Sequence, residues 1–164
     1  MDYIDSVLQE FEHSIPATRK HLERLPEDKL SWKPAEKSLS LGALGLHMAE
    51  SPGMISKMAL LESLDVSGGP NFREPASVAE ILDTFDAGCQ QARENLEKLR
   101  ALDIDGLFTF TAGGQALMQF PRRAVLREIF LNHTYHHRGQ LGVYLRLLDV
   151  PVPSTFGPSA DESI

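Results

Sequence analysis

Asn132-His133-Thr134-Tyr135-His136-His137-Arg138-Gly139-Gln140 is the stretch on which the reading of this chain turns. It sits in the middle of the longest helical pattern. There Leu126, Phe130, His133, His137, Gln140 or Leu141, Tyr144 and Leu148 recur at alternating steps of three and four, the repeat of one inward helix face. Two histidines therefore fall where a bundle places core residues. Four residues turn a helix by about 400°, so His133 and His137 project side by side, one turn apart, where two imidazoles can share one metal ion. Spacing alone also permits His136, three residues on, but His136 lies off the seam that continues through Gln140 and Tyr144. It suits a rim residue, a hydrogen-bond partner of the site or a proton carrier at a pocket mouth.

Working outward, this helix opens at Pro121, a residue suited to a first helical position, and runs to about Leu148, where Asp149-Val150-Pro151 stops it. Just before it, Leu107–Thr111 and Gln115–Phe120 alternate around Ala112-Gly113-Gly114, which suggests a small hairpin. A third helix starts at Ser77-Val78-Ala79-Glu80, a capping-box pattern, and carries Ile81, Leu82, Phe85, Cys89, Ala92, Leu96 and Leu99 inward. A second helix begins at Ser40 as N-cap and carries Leu41, Leu44, His47, Met48, Ile55, Met58 and Leu61; Pro52-Gly53 predicts a kink or break just after His47. The first runs from about Asp2 to Leu25 and ends at Pro26, with Trp32 and Pro34 in the loop beyond. A Gly-, Pro- and Ser-rich loop from about Val66 to Ala76 joins the second and third helices. The expectation is a single all-α domain, residues 1–164, built as a four-helix bundle with one small hairpin.

His47 occupies the matching seam position on the second helix. A third imidazole from a facing helix would complete a three-histidine face, with a fourth position left for water or substrate, as in catalytic rather than structural metal sites. Glu50, one turn beyond His47, offers a carboxylate to orient a ligand or take a proton; otherwise it is a solvated surface residue. A single histidine on an apolar stripe is ordinarily a core residue satisfied by one hydrogen bond. Three on inward seams would cost free energy if left unpaired, which brings the metal reading level with the plain one. Other metal signatures fit worse: the last helix lacks the glutamate of the His-Glu-x-x-His zinc peptidases, and the paired Glu-x-x-His motifs of di-iron bundles are missing. His13 and His21 read as surface or boundary residues of the first helix.

Composition narrows the partners. The 16 basic against 23 acidic residues give a net charge of −7, so there is no basic stripe for nucleic acid. The densest basic cluster, Pro121-Arg122-Arg123 with Arg127, reads as a solvated helix start. No apolar run approaches the ~20 residues needed to cross a bilayer, and the acidic, amphipathic first residues are unlike a secretion signal. Cys89 is the single cysteine and reads as a small buried apolar side chain, so neither an internal disulfide nor a cysteine zinc site is expected. A cytoplasmic protein acting on a small molecule, with neither nucleic acid nor membrane as partner, is the expectation.

The lone His47, the segment Asn132 to Gln140, the ending Val152-Pro153 through Phe156-Gly157-Pro158, and the connector Leu25-Pro26-Glu27 to Trp32-Lys33-Pro34 resemble the DinB-like (YfiT-like) metalloprotein superfamily. That family shares only a name with the DNA polymerase. The resemblance spans nearly the whole chain, and His-x-x-x-His-Arg-Gly-Gln is its most specific part. It implies an up-down-down-up four-helix bundle with a long connection between the second and third helices, and a homodimer. It also implies one divalent ion, nickel or zinc, on His47, His133 and His137. Relatives of this kind include transferases that use a low-molecular-weight thiol as co-substrate, an isomerase and some hydrolases. The resemblance thus implies a metal-dependent transferase, with a hydrolase or a non-catalytic, stress-related metal- or ligand-binding dimer as alternatives. Under the thiol reading, Arg138 would help hold an anionic thiol; otherwise it is a surface arginine.

Overall fold

Asp2 and Asp5 exchange hydrogen bonds at the start of the chain in the computed structural model, which describes residues 2–163. Asp2 accepts from the Asp5 backbone N–H at 2.8 Å and Asp5 from that of Asp2 at 3.1 Å. This reciprocal cap starts α1, Tyr3–Glu23, whose Ile4, Val7, Phe11, Thr18 and Leu22 face inward. A short 3-10 turn, Glu27–Lys29, follows. Ser40 caps α2, Leu41–Met58, by accepting from the Ala43 N–H at 3.0 Å. The connector then forms a short strand, β1, Ser63–Asp65, before α3, Val78–Leu99. Ser77 accepts from the Glu80 N–H at 3.1 Å, as the capping pattern predicts. Glu80, however, accepts from Ala76, one residue before the cap, and also pairs with Arg73.

The hairpin is present: β2, Leu107–Ala112, pairs antiparallel with β3, Gln115–Pro121, and Gly113 and Gly114 take the positive φ values of 57° and 81° that its two-residue turn requires. β1 adds to β2 in parallel, an edge pairing that three residues inside a polar connector did not signal. Phe108 is the fully buried side chain of this sheet and anchors it to the bundle.

The last helix, α4, is built of three contiguous pieces: Arg122–Ala124, the π-helical Val125–Leu131, and Asn132–Leu147. Pro121 closes β3 and serves as the N-cap rather than the first helical residue. In the π-helical piece the buried pairs Val125 with Phe130 and Leu126 with Leu131 are five residues apart, the repeat of a π-turn rather than an α-turn. Around the bundle the order is α1, α3, α2, α4, with one hydrophobic core running through all four. α2 and α3 pack closest: a Cβ at Gly88 would stand 2.8 Å from the Ala49 carbonyl oxygen, so only glycine admits this approach.

Four further expectations are corrected. Of the kink or break expected after His47, the break does not occur: Pro52 lies inside one uninterrupted helix, and the hydroxyl of Ser51 donates to the His47 carbonyl at 2.6 Å beside it. Arg122 is not a solvated start of α4. It is buried, and donates from Nε to the Ala59 carbonyl at 3.2 Å and from Nη2 to the Leu61 carbonyl at 3.3 Å, satisfying the free end of α2. His21 is buried against α4 rather than on the surface, with Nδ1 2.8 Å from the Ala17 carbonyl. Arg138 is buried too, and its surroundings are described below. No helix among the described residues is long and apolar enough to cross a membrane.

Candidate metal centre

α2 and α4 are neighbours in the bundle, and together they bring three imidazoles to the same point. His47 Nε2 lies 3.1 Å from His133 Nε2, and His137 Nε2 lies 3.1 Å from the same atom. All three rings are half-buried and stand nearly perpendicular to one another, with interplanar angles of 79°, 86° and 82°. Among the described residues this is the one group of three potential ligands converging on a common point.

Hydrogen bonding among the three does not account for the convergence. A neutral imidazole Nε2 either donates one proton or offers one lone pair, so His133 Nε2 cannot satisfy both neighbours at once. Three nitrogens at about 2.0–2.1 Å around one tetrahedral ion would stand roughly 3.3 Å apart, close to the 3.1 Å of the two pairs that share His133, and all three lie within 4.8 Å of one another. The donor set fits a borderline divalent ion such as zinc or nickel.

The surroundings favour lone pairs directed inward. Gln140 Oε1 lies 2.7 Å from His137 Nδ1; an amide oxygen only accepts, so Nδ1 carries the proton and Nε2 is left free to ligate. Burial pushes the pKa of His47 down to about 4, with the charge of His137 adding to the effect. Burial does the same to His133, again to about 4, assisted by the charges of His137, His47 and His136. His137 is lowered chiefly by burial, against the opposing hydrogen bond from Gln140. All three are therefore neutral at physiological pH, the form that binds metal. Among the described residues His133 Nδ1 is buried without a hydrogen-bond partner, an orphan that costs about 1–3 kcal/mol.

His136 is exposed and stands outside the cluster, its ring 4.8 Å from that of His137, beside a shallow cleft formed with Glu128, Ile129, Asn132 and His133. Glu50 is not hydrogen-bonded to the histidines. It pairs with Arg73 at 3.4 Å and faces the groove between α2 and α3. Arg138 points away from the three imidazoles, toward α1. Cys89 is buried in the core and its thiol is pushed up to about 12, so it is no nucleophile.

One element of the site was not read from the sequence. Phe72, on the connector between β1 and α3, sets its edge against the His47 ring at 5.1 Å. Glu74, accepting from the Ser40 hydroxyl at 2.7 Å, and Arg73, paired with Glu50 and Glu80, hold that connector over the start of α2. Only the position of an aromatic in a loop after the histidine helix could have suggested it, and such a loop has no periodicity to place it.

Comparison with known proteins bears on the fold and the family. A Bacillus subtilis (strain 168) protein described as uncharacterized, YrdA, is 25% identical over 161 residues, spanning 97% of this chain and 91% of that one. A DinB-like protein from Bacillus cereus ATCC 10987 superposes with a TM-score of 0.67 at 23% identity, over 92% of this chain and 95% of that one. The DinB-like protein YjoA of Bacillus subtilis gives 0.68 at 23% identity, over 92% and 96% of the respective chains. These structures share the fold. The sequence matches the DinB family over residues 2–163, essentially its whole length, and the chain belongs to that family.

Proposed function

We propose that this protein is a metal-dependent enzyme that activates a small thiol for transfer onto an electrophile, with His47, His133 and His137 holding one divalent ion. The observation that carries the reading is the convergence of three neutral Nε2 atoms with no fourth protein ligand among the described residues. A divalent ion held there supplies Lewis acidity, which lowers the pKa of a coordinated thiol or water toward neutrality.

The remaining chemistry belongs to the chain. Gln140 fixes the tautomer and orientation of His137. Phe72 lies against His47 and gives one side of the site an apolar flank. His136, exposed beside His137, would be the group that accepts or returns a proton as a substrate enters. The preference for a thiol over water rests on the family resemblance.

The test is twofold. Protein purified without a histidine tag is assayed for nickel and zinc, then loaded and offered small thiols with a chromogenic electrophile, in parallel with a chromogenic ester. Metal-dependent thiol consumption supports the proposal; metal-dependent ester cleavage alone would replace it with a hydrolase. Stoichiometric metal with neither activity would leave a binding protein.

A further inference from the structure

A second pocket lies on the other side of α4, between that helix, the end of α1 and the C-terminal segment. It encloses about 550 Å³, within the range of sites for small organic ligands, and none of the three clustered histidines lines it. Its outer wall is a strap, residues 150–163, clamped by the ion pairs of Arg24 with Glu162 and Arg146 with Asp161. Ser159 ties the strap to itself through a 2.7 Å hydrogen bond to the Val152 carbonyl.

Arg138 forms the floor. It is 4% exposed, yet among the described residues no carboxylate pairs with it. Its hydrogen bonds run only from Nη1, to the Ser14 carbonyl at 3.4 Å and the Thr18 hydroxyl at 3.3 Å, both long. Among the described residues Nε and Nη2 have no partner, and they are not sealed from the pocket. The guanidinium carbon sits 5.2 Å from the Tyr135 ring centroid and 5.0 Å from that of Phe156. A buried cation without a counter-charge is expensive, and removing its partner from such a setting ordinarily costs several kcal/mol. The two acids of the strap, Glu162 and Asp161, are held by Arg24 and Arg146.

We propose that this pocket binds a small organic monocarboxylate, its carboxylate held by Arg138 and its apolar body lying against Tyr135, Phe156 and Val152. A planar guanidinium whose Nε–Nη2 edge is free matches a carboxylate bidentately. One uncompensated cation selects one negative charge, which disfavours a phosphate dianion. The walls are largely apolar, and Phe156 is 69% exposed, so a ligand would cover it. His21 adds a directional feature: Nδ1 donates to the Ala17 carbonyl, so Nε2 offers a lone pair at the pocket edge near Gly142. A hydroxyl or amino group on the ligand would donate to it.

The test titrates benzoate and phenylacetate into the full-length protein by calorimetry and NMR, beside benzamide and inorganic phosphate, with metal present and after chelation. Saturable binding of the carboxylates is expected, weaker by about tenfold or more for benzamide and for phosphate. Arg138→Gln should lose it. Gly139→Leu is the second probe, independent of the buried guanidinium: a Cβ there enters open space at the pocket, so the variant should abolish binding while melting no lower than the parent, leucine being the better helix former. Binding should persist in His133→Ala, which separates this site from the metal centre. Absence of saturable binding up to about 10 mM would overturn the proposal. So would binding that vanishes with the metal and survives Gly139→Leu, or phosphate binding more tightly than benzoate. Sedimentation showing that Gly139→Leu only dissociates a dimer, with no carboxylate bound by either form, would assign the face to a second copy instead.

Discussion

Gln140 Oε1 stands 2.7 Å from His137 Nδ1, less than one helical turn along α4, so an exposed amide sets the tautomer of a half-buried imidazole. Partners of this type tune metal affinity by roughly 10–100-fold. Gln140→Ala is expected to weaken zinc or nickel binding by about that factor in a competition titration, with the melting temperature of the metal-free protein unchanged. Equal affinity in the two proteins would show that the bond does not orient the ring.

The three imidazoles can be separated from the fourth by metal content. His133→Ala and His137→Ala should each lose most of the bound ion in elemental analysis, because two nitrogens hold a divalent ion far less tightly than three. His136→Gln should keep it, since the exposed His136 ring lies outside the cluster. Full metal content in His137→Ala would remove that residue from the site.

Acid should weaken the metal-free protein in a defined window. The folded-state pKa values of His47 and His133 are pushed down to about 4, while an unfolded histidine titrates near ~6.5. Between those values the unfolded chain binds protons that the folded one refuses, so stability falls as pH drops from about 6.5 toward 4, and this contribution stays constant above that range. Melting curves after chelation should show this slope, flattened in His133→Leu. Identical slopes for the two proteins would mean that the histidines do not set it.

Chelation should leave the bundle standing. The core that includes Phe11, Phe85, Phe108 and Phe130 is continuous without the histidines. Helical circular dichroism should persist while the melting temperature drops, the shift reporting the lost binding free energy. Collapse of the helical signal on chelation would make the ion a structural one.

Gly88→Ala should destabilise the protein by about 1–3 kcal/mol in denaturant unfolding. The added methyl meets the Ala49 carbonyl at 2.8 Å, and backbone cannot move aside as a side chain could. A neutral or stabilising result would show that α2 and α3 separate at little cost.

The elements that announced themselves in the sequence are those whose signals are local or periodic. Ser40 and Ser77 cap where hydroxyl chemistry says they should, and the glycine pair at 113–114 turns the hairpin. His133 and His137 meet because their four-residue interval is a property of the helix alone. Arg138 and His21 were misjudged because their burial is decided by α1 and the strap, elements far away in sequence. Arg122 reads as surface until one knows that α2 ends beside it. Phe72 and β1 depend on where a connector without periodicity crosses the bundle. The five-residue interval of Val125 and Leu126 with Phe130 and Leu131 was visible, but the template of three and four absorbed it.

The π-helical stretch Val125–Leu131 carries a consequence for chain length among relatives. Hydrogen bonds that reach five residues back house one more residue per turn than an α-helix does. Deleting one residue there would restore α pitch while Asn132–Leu147 stays where α1 and α2 hold it. The displaced side would be the hairpin, and Arg122 would swing away from the carbonyls of Ala59 and Leu61. Single-residue gaps between family members are therefore expected to fall within 125–131, changing the distance from hairpin to histidines and leaving the interval from His133 to His137 at four.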